Sequence, residues 1–372
     1  MEASLPRYLS TQIRADLERK MVFVSGPRQV GKTTLARHLL PEPSGYLNWD
    51  IPEHRDMILR GRLPPTDMLV FDELHKFRRW REFLKGLYDR RDGRRILVTG
   101  SGRLDYYRHG GDSLQGRYHH LRMHPLTVAE LEVDDPNGLM RLLDRGGFPE
   151  PYLSESMDAA QRWSREYRVR LVDDEISDLE RVDDLSALQL LAVRLSDLVG
   201  SPLSVNALRE DLRVSHRTVS RWLEIFERLY AIVRIAPFGA PAIRAVSKAQ
   251  KHYHFDWLPI TDRAARFENV IALHLLKWVH HEQDVHGREL DLRYFRDVDG
   301  REVDFVITER GSPTHLVEVK WSDRPLDRAL RYLSERFPTA AAYQLSATGT
   351  DDYRTPGGIR VQPALPFLRG LV

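Results

Sequence analysis

The sequence predicts an α/β fold: a parallel sheet at the amino-terminal end, a helical middle and a second α/β domain at the carboxy-terminal end. Three observations predict it. Short, wholly apolar runs alternate with helical stretches over the first third of the chain. Strand signals then vanish over residues 125–200, where helical periodicity and acid take over. From about Arg263 strand-like runs return behind a long helical stretch. At 372 residues the chain has room for several modules, each with its own core.

Composition narrows the function classes. The 56 basic residues nearly balance 54 acidic ones, which excludes a uniformly basic nucleic-acid coat and a uniformly acidic tail. Lys supplies only 8 of the 56, an excess of Arg that we attribute mainly to nucleotide-composition bias and secondarily to phosphate and carboxylate recognition. The absence of Cys excludes disulfides, thiolate metal sites and a cysteine nucleophile. No apolar window approaches the roughly 18 residues of a membrane span, so the expectation is a cytoplasmic protein. The net charge of +2 is also a cancellation. Residues 125–200 carry −9, residues 201–260 carry +4 and residues 76–108 carry +7, a distribution that permits a nucleic-acid partner.

In the first third, Met21-Val22-Phe23-Val24-Ser25, Met68-Leu69-Val70-Phe71 and Arg95-Ile96-Leu97-Val98-Thr99 read as strands. Each is continuously apolar, as strands covered on both faces should be, and helical segments lie between them. The economical solution is a parallel α/β sheet.

The first strand runs into Gly26-Pro27-Arg28-Gln29-Val30-Gly31-Lys32-Thr33, followed by Thr34 and a helix over 32–40. This matches G-x-x-x-x-G-K-[ST] between a strand and a helix, the context that pattern needs. Glycines let the loop N–H groups face phosphate oxygens, and the helix adds its amino-terminal dipole. Lys32 is then placed for the β- and γ-phosphates of ATP, and the Thr33 hydroxyl for Mg²⁺. The next apolar strand ends in Asp72-Glu73, with Asp72 assigned to the Mg²⁺ shell and Glu73 to polarising water. The strand over 95–99 leads to Gly100-Ser101-Gly102, so Ser101 is a candidate γ-phosphate sensor, a simple turn being the alternative. Arg117 is a candidate for charge neutralisation, in cis or from a neighbouring subunit.

These stretches (GPRQVGKTTLARHLL, LVFDELHK, ILVTGSGRLD, and LQGR followed by MHPLTVAEL) resemble the AAA-type P-loop ATPases of bacteria and archaea whose carboxy-terminal half has a restriction-endonuclease-like core. Gly146-Gly147-Phe148-Pro149-Glu150 and KHYHFDWLPI follow in that family's order, so the resemblance spans essentially the whole chain. It implies an ATPase core over 1–124, an acidic helical lid or connector over 125–200, a winged-helix-like module over 201–260 and a restriction-endonuclease-like domain over 261–372.

Within the third module, Leu208, Leu212, Val219, Leu223, Phe226 and Leu229 recur at helical spacing around a turn at Arg213–Ser215. Ser215 is placed to cap a second helix whose exposed side carries His216, Arg217, Ser220 and Arg221. A DNA-recognition helix offers such a set; a winged unit that packs against its own chain and touches no DNA is the equal alternative. The residues at 232–235 are read as the start of a wing.

In the last module a helix over 264–281 precedes strand-like runs over 290–295, 303–308 and 316–319, a helix near 326–336 and a strand near 340–344. Asp304 lies in the second run, and Glu318-Val319-Lys320 ends the third. Residues two apart share a strand face, so Glu318 and Lys320 project together, and Asp304 joins them if the strands pair. Two such carboxylates can hold a divalent ion while Lys320 orients water. The arrangement resembles the D…E-x-K signature of restriction-endonuclease-like nucleases, with Glu268 at the place of their helical acid. A salt-bridged strand pair, or a nuclease fold without turnover, would use the same residues. The histidines at 119–120, 252, 254 and 280–281 are read as surface or packing residues, and Trp80, Trp163, Trp222 and Trp278 as core.

The expected function is ATP hydrolysis coupled to DNA binding or processing, with ATP and Mg²⁺ as cofactors, DNA as partner and a homo-oligomer as a plausible assembly. The alternative is a nucleotide-driven switch that recruits protein partners, with a nuclease-like domain that does not cleave.

Overall fold

A computed structural model describes residues 6–90, 92–102, 114–176, 184–239 and 250–372. The chain divides into two compact units, one of residues 1–125 with 228–230, the other of residues 126–227 with 231–372.

The first unit is built on a five-stranded sheet of β1 (Met21–Ser25), β2 (Tyr46–Asn48), β3 (Met68–Asp72), β4 (Arg95–Thr99) and β5 (Tyr118–Arg122). The order is β2-β3-β4-β1-β5 and every pairing is parallel. The runs β1, β3 and β4 are the anticipated strands. β1 and β3 are buried from end to end, because helices such as Lys32–Leu39 and Trp80–Asp89 take up the rest of the crossover connections. Phe23, Phe71, Trp80, Leu84 and Val98 share one core on that sheet. The edge strands β2 and β5 were not anticipated: one has three residues, and the other reads Tyr-His-His-Leu-Arg and is half-buried. Strand order matters for function. β4 lies between β1 and β3, so its carboxy-terminal tip stands between the phosphate-type loop and the Asp-Glu pair.

The second unit begins with helices whose starts are set by side-chain caps. Asp135, Ser156 and Asp184 accept the backbone N–H groups of Gly138, Ala159 and Ala187. Two further helices follow, Val205–Leu212 capped by Ser204 and His216–Arg228 capped by Ser215. Between them Arg213 takes a left-handed φ of 56°. An antiparallel hairpin, β6 (Ile232–Ile235) with β7 (Lys251–His254), completes this section. Residues 240–249, where the tip of the expected wing falls, lie outside the described residues, as do residues 103–108 of the basic run.

The helix Arg263–His286 starts at Asp262, which caps Ala265 N–H, and stops at Gly287, whose φ is +67°. Its five-residue extension past the expected end reflects that glycine, a stronger stop than the polar histidine pair. Behind it stands a mixed six-stranded sheet in the order β12-β13-β11-β10-β9-β8. β8 (Leu290–Arg296), β9 (Glu302–Glu309) and β10 (Ser312–Lys320) form an antiparallel meander. After the helix Arg328–Arg336, β11 (Ala341–Ser346) joins β10 in parallel; β12 (Tyr353–Arg354) and β13 (Arg360–Pro363) close the edge. Val303, Val306, Leu316, Leu330 and Leu333 form the core between sheet and helix. No helix among the described residues is long and apolar enough to cross a membrane.

Candidate nucleotide site and acid–lysine cluster

The loop leaving β1 is shaped by close approach. A Cβ on Gly26 would lie 2.3 Å from the Met123 carbonyl oxygen, so only glycine fits. Gln29 and Gly31 take left-handed φ values of 60° and 100°, which curls Pro27, Arg28, Gln29 and Val30 back before the helix starts. Gly31 supplies no side-chain cap, so the first turn of the helix begins without one, the arrangement in which helix N–H groups can face an anion. The ammonium of Lys32 is buried and donates to the carbonyls of Gly26 (3.0 Å) and Pro27 (2.5 Å), so the loop itself holds it.

The same geometry brings in Asp72. Its carboxylate accepts hydrogen bonds from Thr33 Oγ1 (2.8 Å), Thr99 Oγ1 (2.6 Å) and the Tyr46 hydroxyl (2.6 Å). Parallel register explains the Thr99 bond, since Asp72 is paired with Thr99 on β4. Tyr46 lies two residues before Asn48, the partner of Asp72 on β2, and its long side chain reaches along the same face. Burial, then the bond to Asp72, raises the Tyr46 pKa, so the phenol stays a donor. Thr33 and Asp72 thus present hydroxyl and carboxylate oxygens side by side, the hard donor chemistry that suits Mg²⁺.

Glu73 follows at a left-handed φ of 56°, an uncommon conformation for a residue with a side chain. Its N–H donates to Thr99 O (3.0 Å). Its Oε2 is buried, accepts no hydrogen bond, and lies 3.5 Å from Lys76 Nζ and 3.7 Å from His75 Nε2. The hydroxyl of Ser101, at the tip of β4, is likewise buried without a hydrogen-bond partner. Arg117 is not brought to this place within its own chain. Its carbonyl accepts from Met21 N–H at the start of β1, and its guanidinium pairs with Asp89 (3.0 Å). Five strand residues separate that edge from the loop, about 16 Å at the usual rise.

Sequence reasoning missed Tyr46 and Arg7. The buried Arg7 guanidinium donates to Val30 O within the loop and to His124 O, both at 2.5 Å. No periodicity or motif in the flanking sequence marks either residue.

In the second unit, antiparallel pairing of Phe305 with Val317 continues to set Asp304 across from Glu318. Asp304 N–H donates to Glu318 Oε2 (3.3 Å), and Val319 N–H donates to Asp304 Oδ2 (2.9 Å). Lys320 Nζ donates to Glu318 Oε1 (2.5 Å) and to Asp327 Oδ2 (3.1 Å). Glu268, on the long helix, accepts from the Tyr253 hydroxyl (2.7 Å). The four predicted residues therefore share one cluster, together with three that the sequence did not single out: Lys251, Tyr253 and Glu302. The buried Lys251 Nζ stands 2.6 Å from Glu302 Oε1, 3.5 Å from Asp304 Oδ1 and 3.6 Å from Glu268 Oε1.

Burial, then the charge of Asp304, pushes the Glu268 carboxyl up to about 8. Burial also raises Asp304 and Glu318 above the usual carboxylate range. For Lys251 burial works the other way, and the carboxylates of Glu268, Asp304 and Glu302 outweigh it, so the ammonium holds its proton more tightly than an ordinary lysine. Among the described residues, only His281, Glu282 and His286 bring three potential metal-ligand atoms within 4.8 Å of one another; Glu268, Asp304 and Glu318 do not.

On the helix His216–Arg228, Val219, Trp222, Leu223, Ile225 and Phe226 face the core. His216, Arg217 and Arg221 are exposed and Ser220 is half-buried. His252 and His254 on β7 are packing residues, pulled down by burial to about 4 and about 3.

Residues 18–132 match the AAA domain family AAA_14. With the loop, the Thr33–Asp72 contact and the parallel sheet, this makes the first unit an AAA-type ATPase domain. Residues 137–257 and 264–367 match two domains of unknown function, DUF8612 and DUF4143. The chain is 24% identical to the uncharacterized proteins Rv2008c of Mycobacterium tuberculosis and Mb2031c of Mycobacterium bovis, over 92% of this chain and 82% of each relative. Among solved structures it is similar to Aeropyrum pernix ORC1 in complex with DNA, at 15% identity and a TM-score of 0.35, over 73% of this chain and 95% of that one. It is also similar to a DNA polymerase III gamma subunit-related protein from Thermotoga maritima, at 14% identity and a TM-score of 0.28, over 59% and 96% of the two chains.

Proposed function

We propose that this chain is a cytoplasmic, Mg²⁺-dependent ATP hydrolase that couples turnover to DNA binding. The observation that carries the hydrolytic reading is Glu73, whose buried Oε2 accepts no hydrogen bond and has a long ion pair to Lys76, one residue beyond the carboxylate that Thr33 touches. Lys32 exchanges its loop carbonyls for the β- and γ-phosphate oxygens. Thr33 and Asp72 would hold Mg²⁺, which when bound would supply neutralisation of the phosphate charge. Glu73 Oε2 orients the attacking water and takes its proton, and the Ser101 hydroxyl donates to the γ-phosphate. With Arg117 at the far edge of the sheet, the arginine for the transition state comes from a second copy of the chain, which makes the working form a homo-oligomer.

The DNA half of the reading is supported by His216, Arg217 and Arg221 on the exposed face of a capped second helix, with a hairpin behind it. ATP turnover with and without single-stranded, duplex and branched DNA tests both halves. Stimulation by DNA that is lost in Arg217→Ala/Arg221→Ala is expected. Turnover that survives Lys32→Ala would sink the nucleotide assignment. Turnover indifferent to every DNA would favour a switch that recruits protein partners.

A further inference from the structure

The cluster around Asp304 looks like a metal site until its donors are followed. Asp304 Oδ2 is taken by Val319 N–H, and Oδ1 faces Lys251. Glu318 Oε1 is held by Lys320 and Oε2 by Asp304 N–H. Glu268 Oε1 is held by Tyr253 and faces Lys251 as well. The ammonium at the centre is enclosed: Lys251 is 1% exposed, and the Tyr294 ring centroid lies 5.5 Å from Nζ. The position is fixed by the chain, because Lys251 begins β7, pairs across to Ile235 and forms a bridge to Pro202.

We infer that Lys251 is the resident cation of this cluster: its ammonium occupies the place between Glu268 and Asp304 that a divalent metal would need, and the site clasps β7 to the sheet instead of binding metal. A divalent ion wants several oxygens on one side of an open cavity, and Mg²⁺ sheds water reluctantly. Here an ion would have to push an enclosed ammonium off Glu268 and Asp304, leaving it buried with Glu302 alone, at 2.6 Å, to offset its charge. The four residues that resemble a nuclease signature are thus retained as an ion-pair lock between a hairpin, a helix and two strands.

Mn²⁺ binding to the full-length chain, followed by electron paramagnetic resonance without nucleotide, tests it. Wild type and Asp304→Asn should bind the same number of ions with the same affinities. Lys251→Ala should gain one further ion, which Lys251→Ala/Asp304→Asn loses. An Mn²⁺ site in wild type that disappears in Asp304→Asn would overturn the inference, as would Mn²⁺-dependent plasmid nicking abolished by the same substitution. So would a folded Lys251→Ala chain with no additional ion. Should Lys251→Ala fail to fold, the comparison of wild type with Asp304→Asn decides alone.

Discussion

The carboxylates at the end of β3 and those on β9 and β10 are both strand-borne acids within reach of a lysine, yet their neighbours treat them differently. At the first site the lysine belongs to a glycine loop and is parked on backbone carbonyls that a phosphate can replace. Glu73 Oε2 accepts no hydrogen bond and has the Lys76 ammonium facing it at 3.5 Å, and Ser101 Oγ is buried without a hydrogen-bond partner, a cost that a binding site can recover when something arrives. At the second site every carboxylate oxygen followed above is already answered by an N–H, a phenol or an ammonium. Residue types make a site conceivable. Unanswered polar atoms make it usable.

Glu73→Gln is the sharpest way to break the comparison at its open end. It keeps the shape and removes the proposed base, so the ATP hydrolysis rate should fall about 10²–10⁴-fold while nucleotide affinity holds. Single-turnover hydrolysis beside equilibrium nucleotide binding checks this. A parallel loss of binding would make Glu73 a binding residue, no different in kind from the carboxylates of the second site.

At the closed end the corresponding substitution is Lys251→Met. Deleting one partner of a buried ion-pair network leaves carboxylates unpaired, a loss of about 3–5 kcal/mol. Urea unfolding should show it, and Glu302→Gln should cost less, because the Glu302 side chain is the most exposed of the carboxylates facing Lys251, at 31% against 20% for Glu268 and 14% for Asp304. If Lys251→Met unfolds like wild type, the lock is no lock. A smaller effect is expected at Arg7, which holds the open loop by two charge-assisted bonds worth about 1.5–3 kcal/mol each at most. Arg7→Ala should raise KM for ATP about tenfold with kcat less affected, and Arg7→Lys, which keeps the charge but not the fork, should restore little.

What could be read in the sequence follows the same division. Continuous apolar runs and glycine spacing made β1, β3, β4 and the phosphate-type loop legible, because burial on both faces and backbone approach leave a local imprint. Strands β2 and β5 left none, since edge strands tolerate polar residues such as His119 and His120. Asp304, Glu318, Lys320 and Glu268 could be grouped from strand periodicity and chain order. Lys251 could not, because the partner that reveals it lies 53 residues away, beyond a long helix and a strand. The placement of Arg117 was illegible for a related reason: its effect depends on which end of a strand it precedes, and β5 was not visible as a strand.

The closed pattern extends to His274 in the same unit, where it gives the smallest and most specific prediction. His274 Nε2 accepts from Val128 N–H (3.1 Å), so its Nδ1 carries the proton and donates to Val270 O (2.7 Å). Both nitrogens are used in the neutral form, and a second proton would set N–H against N–H. Burial, the largest cause, lowers the pKa to about 4 against an ordinary 6.5. The unfolded chain therefore binds the extra proton between these values and the folded chain does not. The stabilising difference is complete above pH 6.5 and is lost as pH falls towards 4, at about 1.4 kcal/mol per pH unit. Urea unfolding of wild type at pH 7 and pH 5 should show that decline together with those of His252 and His254, and His274→Gln should make it shallower by one histidine's share. An unchanged slope in His274→Gln would mean that the ring already accepts its second proton in the folded chain, and that this corner of the unit is open after all.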